Sequence, residues 1–467
     1  MATIYSNKKY GLIKNSQLGK GNNSNFTNSN MLLYDLESWS GTHCLVSSKN
    51  SYGGTWSNDD YFIPDKFKVY IIGLKAKTIT NNYLGNPGSW YCGFRTQDIN
   101  GFDITPNLNL RQGATTLSRN LTNGDGYIYV NDATKWYQGS FNNVVCRAIF
   151  YPPSHPIYSE PYKYSRYEIF YDPASITQTA NGDYQIKIVN SSNVSINYSS
   201  VGYSTPIGTP IGNTYAGAGY QYILAGNANI PSEWTTYFSM FTGESGGSIG
   251  GYGHLRWGTA RLKFLQLVNY RYRTENSGDS AEYLSDNLFI AENPTVGDNV
   301  ITNGDFETSG SGGSDIFNNW TESVPSGATL SKDTNEFHSG TSSLKYVNGT
   351  ANNYMEIYQS GVLENSTWYY IEYWAKADEY IEFTNINGAS LGVRFSLSGS
   401  TTSQRCISTS WEKYAIVAKS GSSTGNLSLI LSPHTENSGS TIWIDDIVVK
   451  KLKYQNSDII ERTRIIK

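Results

Sequence analysis

The run Trp368-Tyr369-Tyr370-Ile371-Glu372-Tyr373-Trp374-Ala375-Lys376 constrains this chain more than any other feature. It reads as a strand, because aromatic and β-branched side chains suit a pleated, half-buried surface. Period-two alternation puts Tyr369, Ile371, Tyr373 and Ala375 on one face and Tyr370, Glu372, Trp374 and Lys376 on the other. The second set mixes aromatic rings with charge and is expected to face solvent. Composition extends the strand reading to the whole chain. Tyr (37) and Gly (45) are plentiful, whereas Met (4) and the other helix formers are scarce. Strands and loops are therefore expected throughout.

At 467 residues the chain is long enough for two to four domains. A net charge of −4, with Lys and Arg dispersed, argues against nucleic acid, whose phosphates need a clustered basic face. No stretch approaches the ~18 apolar residues of a membrane helix, so no membrane span is expected. The N-terminal Met1 to Lys9 run lacks an apolar segment, so no secretory signal is expected either. Cys44, Cys92, Cys146 and Cys406 are widely spaced, without a C-x-x-C, and are read as buried free thiols.

Pro294 and Gly297 mark a linker at 291–298. The unit that follows, 299–452, carries five segments in order: Asn303-Gly304-Asp305-Phe306-Glu307, then Trp320, then His338-Ser339-Gly340-Thr341-Ser342-Ser343-Leu344, then Trp368 to Lys376, and finally Thr441-Ile442-Trp443-Ile444-Asp445-Asp446-Ile447-Val448-Val449. This ordered set resembles carbohydrate-binding modules of the family 4 and 9 type. The resemblance implies a two-sheet jelly-roll sandwich that binds glycans. Sugars offer apolar C–H faces and hydroxyl edges, so aromatic planes and carboxylates serve as contacts. Tyr370 and Trp374 are the expected ligand-binding residues, with Glu372 as hydrogen-bond partner. The resemblance also implies a structural Ca²⁺ held by Glu307 and Asp445, with Asp446 in reserve.

The chain also resembles itself. Leu12 to Leu18 matches Val300 to Phe306 in apolar pattern, Tyr70-Ile71-Ile72-Gly73-Leu74-Lys75-Ala76-Lys77 matches Tyr369 to Lys376, and Tyr283 to Ile290 resembles the strand around Asp445. Tyr70 and Asp286 are 216 residues apart and Tyr369 and Asp445 only 76, so about 140 residues are inserted in the first copy. The expected fold class is all-β, with two jelly-roll β-sandwich domains, the first (1–290) enlarged by a β-rich insertion at about 78–260, and a C-terminal tail at 453–467. In the first copy the outward positions Ile71, Gly73 and Lys75 carry no aromatic ring, and Gly19 stands where Glu307 stands in the second. Neither a sugar site nor calcium is expected there.

Inside the insertion, Asn123-Gly124-Asp125-Gly126 between alternating residues is a hairpin signal. The run Thr115 to Tyr137, with Gly101 to Pro106 before it, is similar to segments of tail-fibre and other structural proteins of tailed bacteriophages. Catalytic signatures are absent: the five His residues are isolated, and Gly246-Gly247-Ser248-Ile249-Gly250 fits G-x-S-x-G only within a Gly-rich loop. No carboxylate pair stands out. The chain is therefore read as a non-enzymatic bacteriophage virion protein, a fibre or decorating appendage, assembled in host cytoplasm and acting outside the cell. Its partners would be cell-surface glycans and other virion proteins. Such appendages are often homo-oligomers, commonly trimers, although no heptads or collagen-like repeats demand it here. Two alternatives stand beside this: a secreted glycan-degrading enzyme whose catalytic part is the insertion, and a purely structural virion protein.

Overall fold

The computed structural model describes residues 115–143, 145–150, 167–199 and 205–216, and residues 296–349, 354–378, 392–404, 406–423, 425–432 and 439–453, with 64–65, 67–81, 230–242 and shorter strand segments elsewhere. Among the described residues the only helix is the 3-10 turn Pro173–Ser175, capped by Asp172, whose carboxylate accepts the Ala174 N–H at 3.1 Å. Among these residues no helix is long and apolar enough to cross a membrane.

The C-terminal unit is a sandwich of two antiparallel sheets. One contains, in spatial order, Thr329–Asp333, Ser343–Val347, Thr441–Leu452, Trp368–Ala377 and Glu412–Lys419, with Val296–Asn299 also pairing with Thr441–Leu452. The opposing sheet runs Thr321–Ser323, Met355–Gln359, Leu427–Ser432, Gly392–Leu397 and Ser400–Gln404. Apart from the hairpins Thr329–Asp333/Ser343–Val347 and Gly392–Leu397/Ser400–Gln404, neighbours in space are distant in sequence, the mark of jelly-roll connection. The alternation of the Trp368 strand is realised on its inner side: Tyr369, Ile371, Tyr373 and Ala375 all enter the core, against Ile357, Phe395 and Leu429 of the opposing sheet.

The N-terminal unit repeats this order strand for strand. Met31–Tyr34, Cys44–Ser47, Ala281–Glu292, Val69–Asn81 and Thr235–Thr242 form one sheet, extended by Ser245–Gly246 and Leu255–Arg256. Phe26–Ser29, Gly53–Ser57, Arg261–Val268, Trp90–Gln97 and Tyr220–Leu224 form the other. Register carries the likeness to single residues. A β-bulge follows Asp286, which pairs with Lys75, and another follows Asp445, which pairs with Trp374. Tyr70 and Tyr369 also make the same corner, each phenol oxygen accepting the backbone N–H of the residue five before it, Asp65 at 2.8 Å and Glu364 at 2.7 Å. The chain is thus all-β with two jelly rolls.

The insertion is narrower than 78–260. Strands Trp90–Gln97, Tyr220–Leu224 and Thr235–Thr242 belong to the N-terminal sheets, and the self-contained unit lies between them. Its core gathers Leu117, Ile128, Val130, Trp136, Phe150, Tyr171, Ile186 and Ile211 around the buried free Cys146. The Asn123-Gly124 turn forms: Asp125 N–H donates to Thr122 O at 3.1 Å, Gly124 has φ +99°, and Ser118 N–H donates to Tyr129 O across the hairpin at 2.9 Å. The tail beyond Lys453 and the linker residues 293–295 lie outside the described residues, as does the Gly246 to Gly250 run past Gly246.

Candidate functional site

The outer face of the Trp368–Ala377 sheet is not open to solvent along its length, which corrects the expectation for Tyr370. Tyr370 is only 5% exposed, buried with Trp368, Ala415, Val417 and Leu452 against Val69, Ile71 and Met240 of the N-terminal unit. Burial raises its phenol well above the usual range, and the neighbouring Glu372 carboxylate adds to the effect. Its hydroxyl donates to Glu372 Oε2 at 2.9 Å, and Lys413 Nζ pairs with the same oxygen at 2.8 Å. Both residues are committed to the protein itself.

Trp374 lies further along this face and is half-buried, with one ring face covered. The His338 imidazole stacks on it at 3.6 Å and 14°. Around it, Trp411 donates its indole N–H to Glu336 at 2.9 Å, and Trp443 donates to Asp333 at 3.0 Å between the ammonium groups of Lys345 and Lys376, each 5.6 Å from its ring. Each of these rings already has a protein partner.

The motif residues 306–307, 338–342 and 445–446 do converge, in a polar knot rather than a cation cage. The turn His338–Ser342 folds over the bulge, and its backbone N–H groups hold two carboxylates. His338 and Ser339 donate to Asp445 Oδ2 at 2.9 and 3.1 Å, and Thr341 and Ser342 donate to Glu307 Oε1 at 2.6 and 3.0 Å. Thr341 Oγ1 adds a bond to Glu307 Oε2, and Asp446 N–H one to Asp445 Oδ1 at 2.8 Å. Asp446, at φ +51° in the bulge, takes the His338 ring at 2.6 Å. Hydrogen bonds from Thr341 lower Glu307, whereas burial pushes the fully enclosed Asp445 up to about 6. Calcium needs six or more oxygen ligands. The partners here are N–H and O–H donors, and among the described residues no group of three or more carboxylate, imidazole or thiol side chains is arranged to hold a metal ion. The donor set does not fit the expected ion.

The outer side of the opposing sheet carries a half-buried aromatic and charged set that the sequence alone did not single out. Met355, Ile357 and Gln359 point inward, so Glu356 and Tyr358 point out, continuing from Tyr354, which is 54% exposed. Register places Glu356 beside Ile430 and Arg394, and Tyr358 beside Ser428 and Ser396. The Arg394 guanidinium stands 5.8 Å from the Tyr354 ring. Burial pushes it below its usual range, while Tyr354 and Glu356 push it back, and an arginine remains charged throughout. The result is a low floor of Ser428, Ser396 and Ile430 bordered by two phenol rings, one guanidinium and one carboxylate. The signal is the alternation Tyr354-Met355-Glu356-Ile357-Tyr358, in which Met355 and Ile357 are apolar and the residues between them polar or aromatic.

In the described part of the insertion each aspartate with a hydrogen bond serves a local structure. Asp183 accepts from Ser118, Thr179 and Arg119, Asp125 from Thr122, Asp132 from Thr134, and Asp172 caps its turn.

No family model matches the sequence, and no curated protein matches it. Among solved structures the chain is similar to the xylan-binding domain CBM22-1 of Xyn10C from Paenibacillus barcinonensis, at 16% identity over 34% of this chain and 99% of that one, with a TM-score of 0.25. The tandem CBM22-1-CBM22-2 domain of the same protein covers 96% of this chain and 100% of its own, at 12% identity and a TM-score of 0.23. The tailspike protein 4 of bacteriophage CBA120 covers 33% of this chain and 21% of its own length, at 16% identity and a TM-score of 0.21.

Proposed function

We propose that the chain is a glycan-binding protein whose C-terminal jelly roll takes a carbohydrate chain on the outer face of the five-stranded sheet. One observation carries this reading: that face joins exposed Tyr354 to half-buried Tyr358, Arg394 and Glu356, whereas much of the other sheet is covered by the N-terminal unit. Phenol rings offer planes for sugar C–H faces, and the planar guanidinium and the carboxylate suit paired hydroxyls. No bond-breaking step is proposed. That the binding serves adhesion of a phage particle rests on the similarity of residues 101–106 and 115–137 to phage structural proteins, and labelling of particles with an antibody to 115–216 tests it.

The binding test is a glycan array followed by calorimetry on the full chain. Removing one stacking ring costs about 1–3 kcal/mol when the face is desolvated. Tyr358→Ala and Tyr354→Ala are therefore expected to weaken binding about tenfold or more, while Trp374→Ala leaves it within twofold. Loss of binding in Trp374→Ala alone would return the site to the first sheet.

A further inference from the structure

The contact between the two jelly rolls joins equivalent surfaces. On the N-terminal side stand Val69, Ile71 and Met240, with Phe238 packed against them, and on the C-terminal side Trp368, Tyr370, Ala415, Val417 and Leu452. Val69 and Ile71 occupy in their strand the positions of Trp368 and Tyr370, as the shared bulge register requires. Met240 pairs with Ile71 as Val417 pairs with Tyr370, and Phe238 pairs with Gly73 as Ala415 pairs with Glu372. All four N-terminal residues therefore meet a surface built from their own counterparts. A patch that contacts itself is what a two-fold axis produces in a dimer.

We infer that the two jelly rolls form an intrachain pseudo-two-fold pair, each being the partner for the other's sheet face, and that Trp368 and Tyr370 serve this pairing. The contact has an apolar centre and a polar rim, the usual anatomy of an interface. At the rim Lys413, paired with Glu372, stands 5.1 Å from the Phe67 ring, and inside the contact the buried Thr242 Oγ1 donates to Ala415 O at 3.3 Å. Tyr370 lies in the centre, and its hydroxyl reaches the rim at Glu372. Bulk is exchanged between the copies. The C-terminal copy has Trp and Tyr on its central strand and Ala415 and Val417 on the next, while the N-terminal copy has Val69 and Ile71 on its central strand and Phe238 and Met240 on the next. Such an exchange suits a self-complementary patch refitted to an unlike partner, and it explains why Val69 and Ile71 stand where the second copy has Trp368 and Tyr370. The pairing leaves the five-stranded sheet of each unit on the side away from the contact.

The test uses the full chain with Met240→Asp and, separately, Val417→Asp. Each substitution puts an unpaired charge in the contact and leaves the residue's own sandwich core intact. An unpaired buried charge shifts the closed-to-open ratio on the order of a hundredfold or more. Small-angle scattering is expected to show a compact wild type and an extended ensemble for both variants, with the far-ultraviolet strand signal unchanged. Scattering that stays compact in either variant overturns the inference. So does loss of the strand signal in either, since the side chain would then belong to a core.

Discussion

Asp333 shows how a buried carboxylate on this scaffold is held charged. Burial pushes its pKa up, but hydrogen bonds from the Trp443 indole and the Asn335 N–H, with the Lys345 ammonium at 3.2 Å, outweigh that and hold it at about 2. A carboxyl depressed on folding stabilises the native state above its ordinary pKa of 3.8 and loses that contribution as pH falls through about 2. Asp333→Asn keeps an acceptor for Trp443 but removes the charge. It is expected to lower stability at neutral pH and to flatten the stability change between pH 4 and 2, measured as denaturation midpoints across that window. An unaltered acid slope would show that Asp333 has no part in it. Trp374 belongs to the same cluster. Its replacement by Ala removes the His338 stack and is expected to destabilise by about 1–3 kcal/mol without touching the glycan face.

Among the elements, the His338–Ser342 turn explains motifs that the family resemblance had assigned to calcium. Gly340 has φ +66°, and a Cβ there would stand 2.2 Å from Glu307 Oε1, so the turn needs glycine both for its backbone and for the approach of the carboxylate. Gly340→Ala is expected to cost about 1–3 kcal/mol in a denaturant titration. If Glu307 and Asp445 pin the turn as described, added calcium or chelator leaves the melting temperature within a degree. A calcium-dependent rise of several degrees would show that the ion is bound there after all. The legibility of the strands follows the same division. Trp368 to Lys376 could be read down to its inward residues, because burial on one face imposes period two. Its outward set was misjudged, since no local pattern reveals that a second sheet covers Tyr370. The Tyr354 to Tyr358 alternation was equally readable, but five residues with one charge look like any edge of a sandwich. Arg394 joins them only through strand pairing across 36 residues of sequence.

For the whole molecule, the self-likeness of the chain has a consequence for its parts. The hydrophobic core of the C-terminal unit lies within residues 301–449, drawn from both of its sheets, so a fragment of 296–453 retains what it needs to fold. Cut free, however, it bares Trp368, Tyr370, Val417 and Leu452 together, an apolar surface normally closed by Val69, Ile71 and Met240. Because the vacated patch is one half of a near-symmetric contact, a second copy of the fragment offers it a similar, though less well fitted, partner. The fragment is expected to show concentration-dependent dimerisation in sedimentation velocity, and Val417→Lys to hold it monomeric through like-charge repulsion across the axis. The full chain at the same concentrations should show no association through this face, because its own N-terminal jelly roll occupies it. A fragment that stays monomeric with a folded core would mean that the patch tolerates water, and that the fit of the two units rests on the Lys413 rim and the buried Thr242 hydrogen bond rather than on the apolar centre.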